Sequence, residues 1–92
     1  MYVILVYDIK KTGNYSKVQR TIFNICKKYL FHIQNSVFEG NISRSQLTNL
    51  KTELNKKLRK EEDSMIIFKS RNRRWLEKEF LTNKIIENSQ FI

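Results

Sequence analysis

The stretch Tyr2-Val3-Ile4-Leu5-Val6-Tyr7-Asp8 decides the fold. Six apolar or aromatic residues, rich in β-branched types, run without interruption and stop at a carboxylate. Such a run reads as a fully buried central strand rather than an amphipathic one. Side chains alternate along a strand, so Asp8 shares its face with Tyr2, Ile4 and Val6. An ionisable acid therefore sits where a core strand surfaces, just before Lys10 and Lys11. Burying a charge without a partner is costly, so Asp8 is expected to have something to hold.

Outward from this strand, Lys10 to Asn14 form a polar turn containing Gly13, and Ser16 reads as a helix N-cap. Val18, Ile22, Ile25, Cys26 and Tyr29 then fall at helical spacing as one apolar stripe, with Lys17, Arg20, Asn24, Lys27 and Lys28 opposite. The outer lysines read as a solvated face. Lys17 and Arg20 lie near the helix start, close to the end of the first strand, where a cation suits phosphate contact or steadies Asp8. Phe31, Ile33, Val37 and Phe38 suggest extended structure interrupted at Gln34-Asn35-Ser36, and Gly40-Asn41 suggests a turn. Ser43 followed by Gln46 is a capping-box signature. Leu47, Leu50, Leu54 and Leu58 give a second helical stripe, with Glu53 and Lys57 in favourable order on its exposed side.

Glu61-Glu62-Asp63 reads as a solvated acidic loop, a divalent-ion site being the less economical alternative. Ser64 to Lys69 is another buried strand, followed by a basic loop with Arg71, Arg73 and Arg74 suited to phosphate contact. Trp75 to Leu81 fits a short helix or a strand by periodicity. The apolar pair Phe91-Ile92 is expected to bring the tail, residues 82–92, against its own domain or a second copy.

The bulk composition narrows the function. Ninety-two residues make a single domain over 1–92, one sheet covered by helices. Eighteen lysines and arginines against nine acids leave a net charge of +9, which points to a polyanion, nucleic acid first. One cysteine, Cys26, excludes an intrachain disulfide and suits a cytoplasmic location. No membrane-spanning run is evident, and the opening stretch lacks a signal-peptide pattern. Two glycines, no proline and one histidine exclude a Gly-rich phosphate cradle, a zinc site of the usual Cys/His kind and paired-histidine catalysis.

Strand, helix, kinked extended segment, helix, strand is the order of an α+β ferredoxin-like βαββαβ sandwich. Right-handed crossovers put both helices on one face of the sheet. The first and last core strands are apolar on both faces, so the bare side calls for a cover, and a two-fold homodimer is the economical one. Mg2+ wants about six oxygens, so one aspartate holds it poorly. Two Asp8 side chains meeting across a dimer axis, with waters and a phosphate, suffice, and metal-assisted phosphodiester hydrolysis follows. A lone Asp8 capping the next turn is the competing reading.

Tyr7-Asp8, Gln34 followed by Ser36-Val37-Phe38-Glu39-Gly40, and Asp63-Ser64-Met65-Ile66-Ile67-Phe68 together resemble the small CRISPR-associated endoribonuclease family, the smaller subunit of the CRISPR adaptation machinery. The likeness runs through nearly the whole chain in order and spacing. It implies a ferredoxin-like homodimer whose strand-one aspartates bind Mg2+, with Asp8 as metal ligand and Tyr7 beside it. It places Arg20, Ser36 and Phe38 among the residues that support the catalytic site, and it favours an additional C-terminal strand over Trp75–Leu81, added to the partner's sheet. The implied activity is Mg2+-dependent cleavage of single-stranded RNA, in some members of double-stranded DNA. The implied setting is capture and integration of spacer DNA with a larger integrase subunit. The alternative is a catalytically idle duplex-DNA scaffold bridging two integrase dimers. A stand-alone toxin-like ribonuclease is a third reading. In the first two, Lys10, Lys11, Lys17, Arg20, Arg71, Arg73 and Arg74 meet phosphates rather than base edges.

Overall fold

The computed structural model describes residues 1–82 of the 92. β1 (Tyr2–Asp8) leads into α1 (Tyr15–Tyr29), a hairpin of β2 (Phe31–Gln34) and β3 (Val37–Asn41), α2 (Arg44–Lys57) and β4 (Ser64–Ser70). A 3-10 turn follows at Arg73–Trp75. The sheet order is β2-β3-β1-β4, with every pair antiparallel. β1 lies inside the sheet, as its two-sided apolar composition requires. Leu5 stands opposite Phe38 and Ile67, and Val6 opposite Val37 and Ile66. Val3, Leu5 and Tyr7 join Val18, Ile22 and Cys26 of α1 and Leu47, Leu50 and Leu54 of α2 in one core. This is the expected ferredoxin-like sandwich.

Local signals explain most boundaries. Ser43 and Gln46 form a reciprocal capping box at the start of α2, satisfying two backbone donors that the first turn leaves orphaned. α1 begins two residues earlier than the Ser16 cap predicts: Asn14 is its N-cap and gives no side-chain hydrogen bond. The β2–β3 turn uses Asn35 at φ 40°, a left-handed conformation that asparagine tolerates. Gly40-Asn41 is not a turn but the end of β3. A Cβ on Gly40 would lie 2.9 Å from Leu30 Cδ2, so this glycine answers to a close packing approach. Glu53 does not pair along its own helix with Lys57; it receives Lys28 and the Tyr29 hydroxyl, clasping α2 to α1.

The face of the sheet away from the helices carries Ile4, Val6, Val37, Ile66 and Phe68, and the last two are 52% and 57% exposed. Glu39 is buried on that face, accepting from the Tyr2 hydroxyl and from Lys78. Burial and this hydrogen bond raise the Tyr2 phenol above its ordinary value. Lys78 through Thr82 share a cavity with Ile4, Ile33, Gln34, Val37 and Glu39. Leu76 is extended (φ −132°, ψ 122°), yet among the described residues no fifth strand forms over Trp75–Leu81. The segment lies over the sheet's face, where no backbone edge offers hydrogen bonds, which is why it does not pair with β1–β4. The expectation for the tail beyond Thr82 lies outside the described residues.

Candidate functional site

Asp8 is the last residue of β1, opposite Ser64 of β4. Its carboxylate is exposed on the helix-free face, with no hydrogen-bond or ion-pair partner among the described residues. The expected need for a partner therefore falls away: water already meets this charge. Among the described residues no three His, Cys, Asp or Glu side chains cluster to hold a metal. One carboxylate supplies at most two of the roughly six hard oxygens that Mg2+ takes. As an oxygen donor with no competing cation, Asp8 fits half of such a site and needs a second donor from outside its own chain.

Tyr7 points the other way, into the helix-covered layer. Its ring stacks on Phe38 at 6.1 Å between centroids, and its backbone N–H donates to the Ser36 carbonyl at 3.2 Å. Burial pushes its phenol up to about 12, with Cys26 adding to the rise and a hydrogen bond from Ser36 working against it. The phenol is therefore neutral near pH 7 and cannot serve as a base. Tyr7, Arg20 and Ser36 line one open cleft of about 690 Å³ with Phe23 and Asn35. Phe38 is fully buried behind it, edge-on to Phe23 at 5.4 Å and tilted to His32 at 5.0 Å. It supports the floor of the cleft and touches no solvent. The structure thus gathers Tyr7, Arg20, Ser36 and Phe38 on one side of the sheet and sets Asp8 on the other. No ion pair joins Arg20 to Asp8.

The cationic residues divide as well. Lys10, Lys11, Lys17 and Arg20 are exposed near the end of β1 and the start of α1. Arg71, Arg73 and Arg74 are exposed beyond β4, whose Ser70 pairs with Tyr2. At roughly 3.3 Å per residue, the arginine patch lies about 20 Å along β1 from Asp8. The helix layer is strongly basic: Lys17, Arg20, Lys27 and Lys28 of α1 and Arg44, Lys51, Lys56 and Lys57 of α2, against Glu53 alone. These eight cations less one acid account for +7 of the chain's +9.

Sequence reading missed Arg59 and misread Asp63. The Asp63 side chain is wholly buried and accepts from the backbone N–H groups of Lys10 (3.1 Å) and Arg59 (2.9 Å). Arg59 and Asp63 lie past the end of α2, so no helical spacing marks the pair in the sequence. Within the acidic triplet, Asp63 is a structural clamp aided by Glu62, while Glu61 is exposed as the solvated-loop reading expects.

The geometry defines a small basic protein of the ferredoxin-like class, built around an unpartnered strand-end carboxylate. Its relatives narrow this further. The family model described as CRISPR associated protein Cas2 matches residues 1–78, and the chain belongs to that family. A protein of Fusobacterium nucleatum subsp. nucleatum named CRISPR-associated endoribonuclease Cas2 is 57% identical over 81 residues, 88% of this chain and 76% of its own. One of the same name from Methanosarcina acetivorans is 30% identical over the full length of both chains. The crystal structure of Streptococcus pyogenes Cas2 aligns with a TM-score of 0.72 and 26% identity, covering 87% of this chain and all of that one. No helix among the described residues is long and apolar enough to cross a membrane.

Proposed function

We propose that the chain is a Mg2+-dependent endoribonuclease of CRISPR adaptation, cleaving single-stranded RNA, and in some settings duplex DNA, as a two-fold homodimer. The observation that carries this is Asp8: an exposed acid with no partner among the described residues, on the sheet face where Ile66 and Phe68 are exposed. A second copy seated on Ile66 and Phe68 buries both side chains and brings a second Asp8 to the same seam. The two carboxylates would hold the ion; when bound, it supplies Lewis acidity and a more acidic water for phosphodiester hydrolysis. Two close carboxylates repel, and a cation between them relieves that repulsion. Lys10, Lys11 and Lys17 bind phosphates as point charges, while Arg20 can fork onto one from the cleft side. Tyr7, held neutral, can donate a hydrogen bond but takes no proton.

Asp8→Ala tests the reading. Cleavage of single-stranded RNA in Mg2+ is expected to fall by two orders of magnitude or more, a loss of about 2.7 kcal/mol in transition-state stabilisation. Cleavage that survives the substitution, or that is indifferent to EDTA, overturns it.

A specific observation favours a second reading, the duplex-DNA scaffold that bridges copies of a larger integrase subunit. The helix layer offers phosphates eight cations, and the large apolar side chains exposed among the described residues all lie elsewhere. Single strands are gripped by exposed stacking rings; the rings of α1, Tyr15, Phe23 and Tyr29, are only partly exposed, and such a basic surface suits a duplex backbone. Spacer integration unimpaired in Asp8→Ala would assign the biological role to this surface.

A further inference from the structure

We propose that Arg59 and Asp63 are positioning residues for Asp8, pinning the backbone from which its carboxylate projects; this rests on the Asp8 reading above. Asp8 has no side-chain partner among the described residues, so its backbone alone sets where the carboxylate points. That backbone is weakly held. Pairing of β1 to β3 ends at Val6 opposite Val37, with one further bond from Tyr7 N–H to the Ser36 carbonyl. Asp8 itself is held only by Ser64 of β4, an edge strand. A strand end with one neighbour frays unless the chain beyond it is tied down.

Arg59 and Asp63 supply the tie. Asp63 immediately precedes Ser64, and its Oδ1 accepts from the Lys10 backbone N–H at 3.1 Å, continuing the β1–β4 ladder through a side chain. Arg59 donates to the carbonyl of Lys10 at 2.6 Å and to that of Thr12 at 2.5 Å. The same guanidinium forks onto Asp63, with Nε to Oδ2 at 3.1 Å and Nη2 to Oδ1 at 2.9 Å. Thr12 is tied again by its hydroxyl, which donates to Glu62 at 2.9 Å. Three residues of the connector before β4 thus grip the chain two to four residues past Asp8. A wholly buried carboxylate holding a guanidinium is far more than a surface turn needs. It is what a site demanding placement within about half an ångström needs.

The test uses the full-length protein with Mn2+ as the probe, in Asp63→Asn and Arg59→Lys. Asparagine keeps the shape but loses the charge and an acceptor; lysine keeps the charge but loses the fork. Mn2+ affinity, read by electron paramagnetic resonance without substrate, is expected to weaken by about tenfold, the scale of lost outer contacts at a metal ligand. Amide exchange at Asp8 to Lys11 is expected to accelerate, while exchange in α2 stays as in the parent. A folded variant that loses thermal stability but keeps both the parent's Mn2+ affinity and its Asp8–Lys11 protection overturns the proposal. If Asp63→Asn does not fold, Arg59→Lys decides alone by the same two measurements. If the parent and Asp8→Asn bind Mn2+ equally, the metal reading itself fails. The exchange rates then decide separately whether the clamp holds Asp8.

Discussion

Gly40→Ala is a sharp test of the packing that sets the β2–β3 hairpin against α1. The added methyl would sit 2.9 Å from Leu30 Cδ2, 3.5 Å from Leu30 Cα and 3.7 Å from the Tyr29 carbonyl oxygen. Carbon pairs prefer roughly 3.5–4.0 Å, so the first contact must open by more than half an ångström. Leu30 cannot swing freely into solvent, since it is only 5% exposed and belongs to the core. Overpacking of this kind costs about 1–3 kcal/mol. Replacing a strand glycine returns about 0.5–1 kcal/mol of backbone entropy. A net loss near 1 kcal/mol lowers Tm by about 4–8 °C in a domain of this size. Scanning calorimetry at fixed protein concentration reads the shift. A double-mutant cycle with Leu30→Ala sharpens it: that truncation alone costs about 2–5 kcal/mol, and the methyl added at Gly40 then fills part of the space it leaves. The double mutant should be more stable than the sum of the singles by about 1 kcal/mol. An unchanged or raised Tm for Gly40→Ala, or strict additivity, refutes the argument.

The remaining predictions concern assembly, charge and pH. Ile66→Asp with Phe68→Asp is expected to convert a dimer to a monomer in sedimentation equilibrium, with Mg2+-dependent cleavage lost in parallel; a dimer that survives shows the helix-free face is not the seam. Charge reversal at Arg71, Arg73 and Arg74 should weaken duplex binding and flatten its salt dependence by nearly one unit of slope per lost phosphate contact, and an unchanged slope removes this patch from the interface. The Arg59 guanidinium, with backbone donors behind it, holds the Asp63 carboxyl below its ordinary range. A carboxylate with a lowered folded pKa stabilises the fold above the unfolded value of about 3.9, and that stability is lost as pH falls through the folded pKa. Acid denaturation followed by circular dichroism should therefore be steeper for the parent below about pH 4 than for Asp63→Asn.

What could be read from the sequence was whatever short-range chemistry dictates. The uninterrupted run ending at Asp8 specifies an interior strand, and the Ser43–Gln46 box starts α2 where it says it will. The apolar stripes of both helices are the buried ones. What was misread depends on residues far apart in the chain. Gly40 resembles a turn residue until Leu30 is seen beneath it. Asp63 resembles a solvated acid because its partner at Lys10 lies 53 positions away. The segment from Trp75 to Leu81 has strand composition, but a strand needs an edge to pair with, and composition does not name the edge.

Tyr7 and Asp8 are covalent neighbours, and the alternation of a strand sends them to opposite sides of the sheet. That separation has a chemical consequence. A carboxylate at a strand end can face water or be drawn into the layer behind it; Asp8 is exposed, with no side-chain partner among the described residues. A phenol meant to support a cleft floor gains from burial, which keeps it neutral; Tyr7 lies against Phe38 with its pKa pushed up to about 12. Had the two shared a face, each would have disturbed the other, the acid raising the phenol further and the rings desolvating the acid. The sheet therefore acts as a partition between a dry aromatic support under Arg20 and Ser36 and a water-facing acidic strand end on its helix-free side. One strand serves both because its end is clamped at Lys10 and Thr12, and releasing that clamp should disturb Asp8 well before it disturbs Tyr7, whose position is fixed by core packing on both helices.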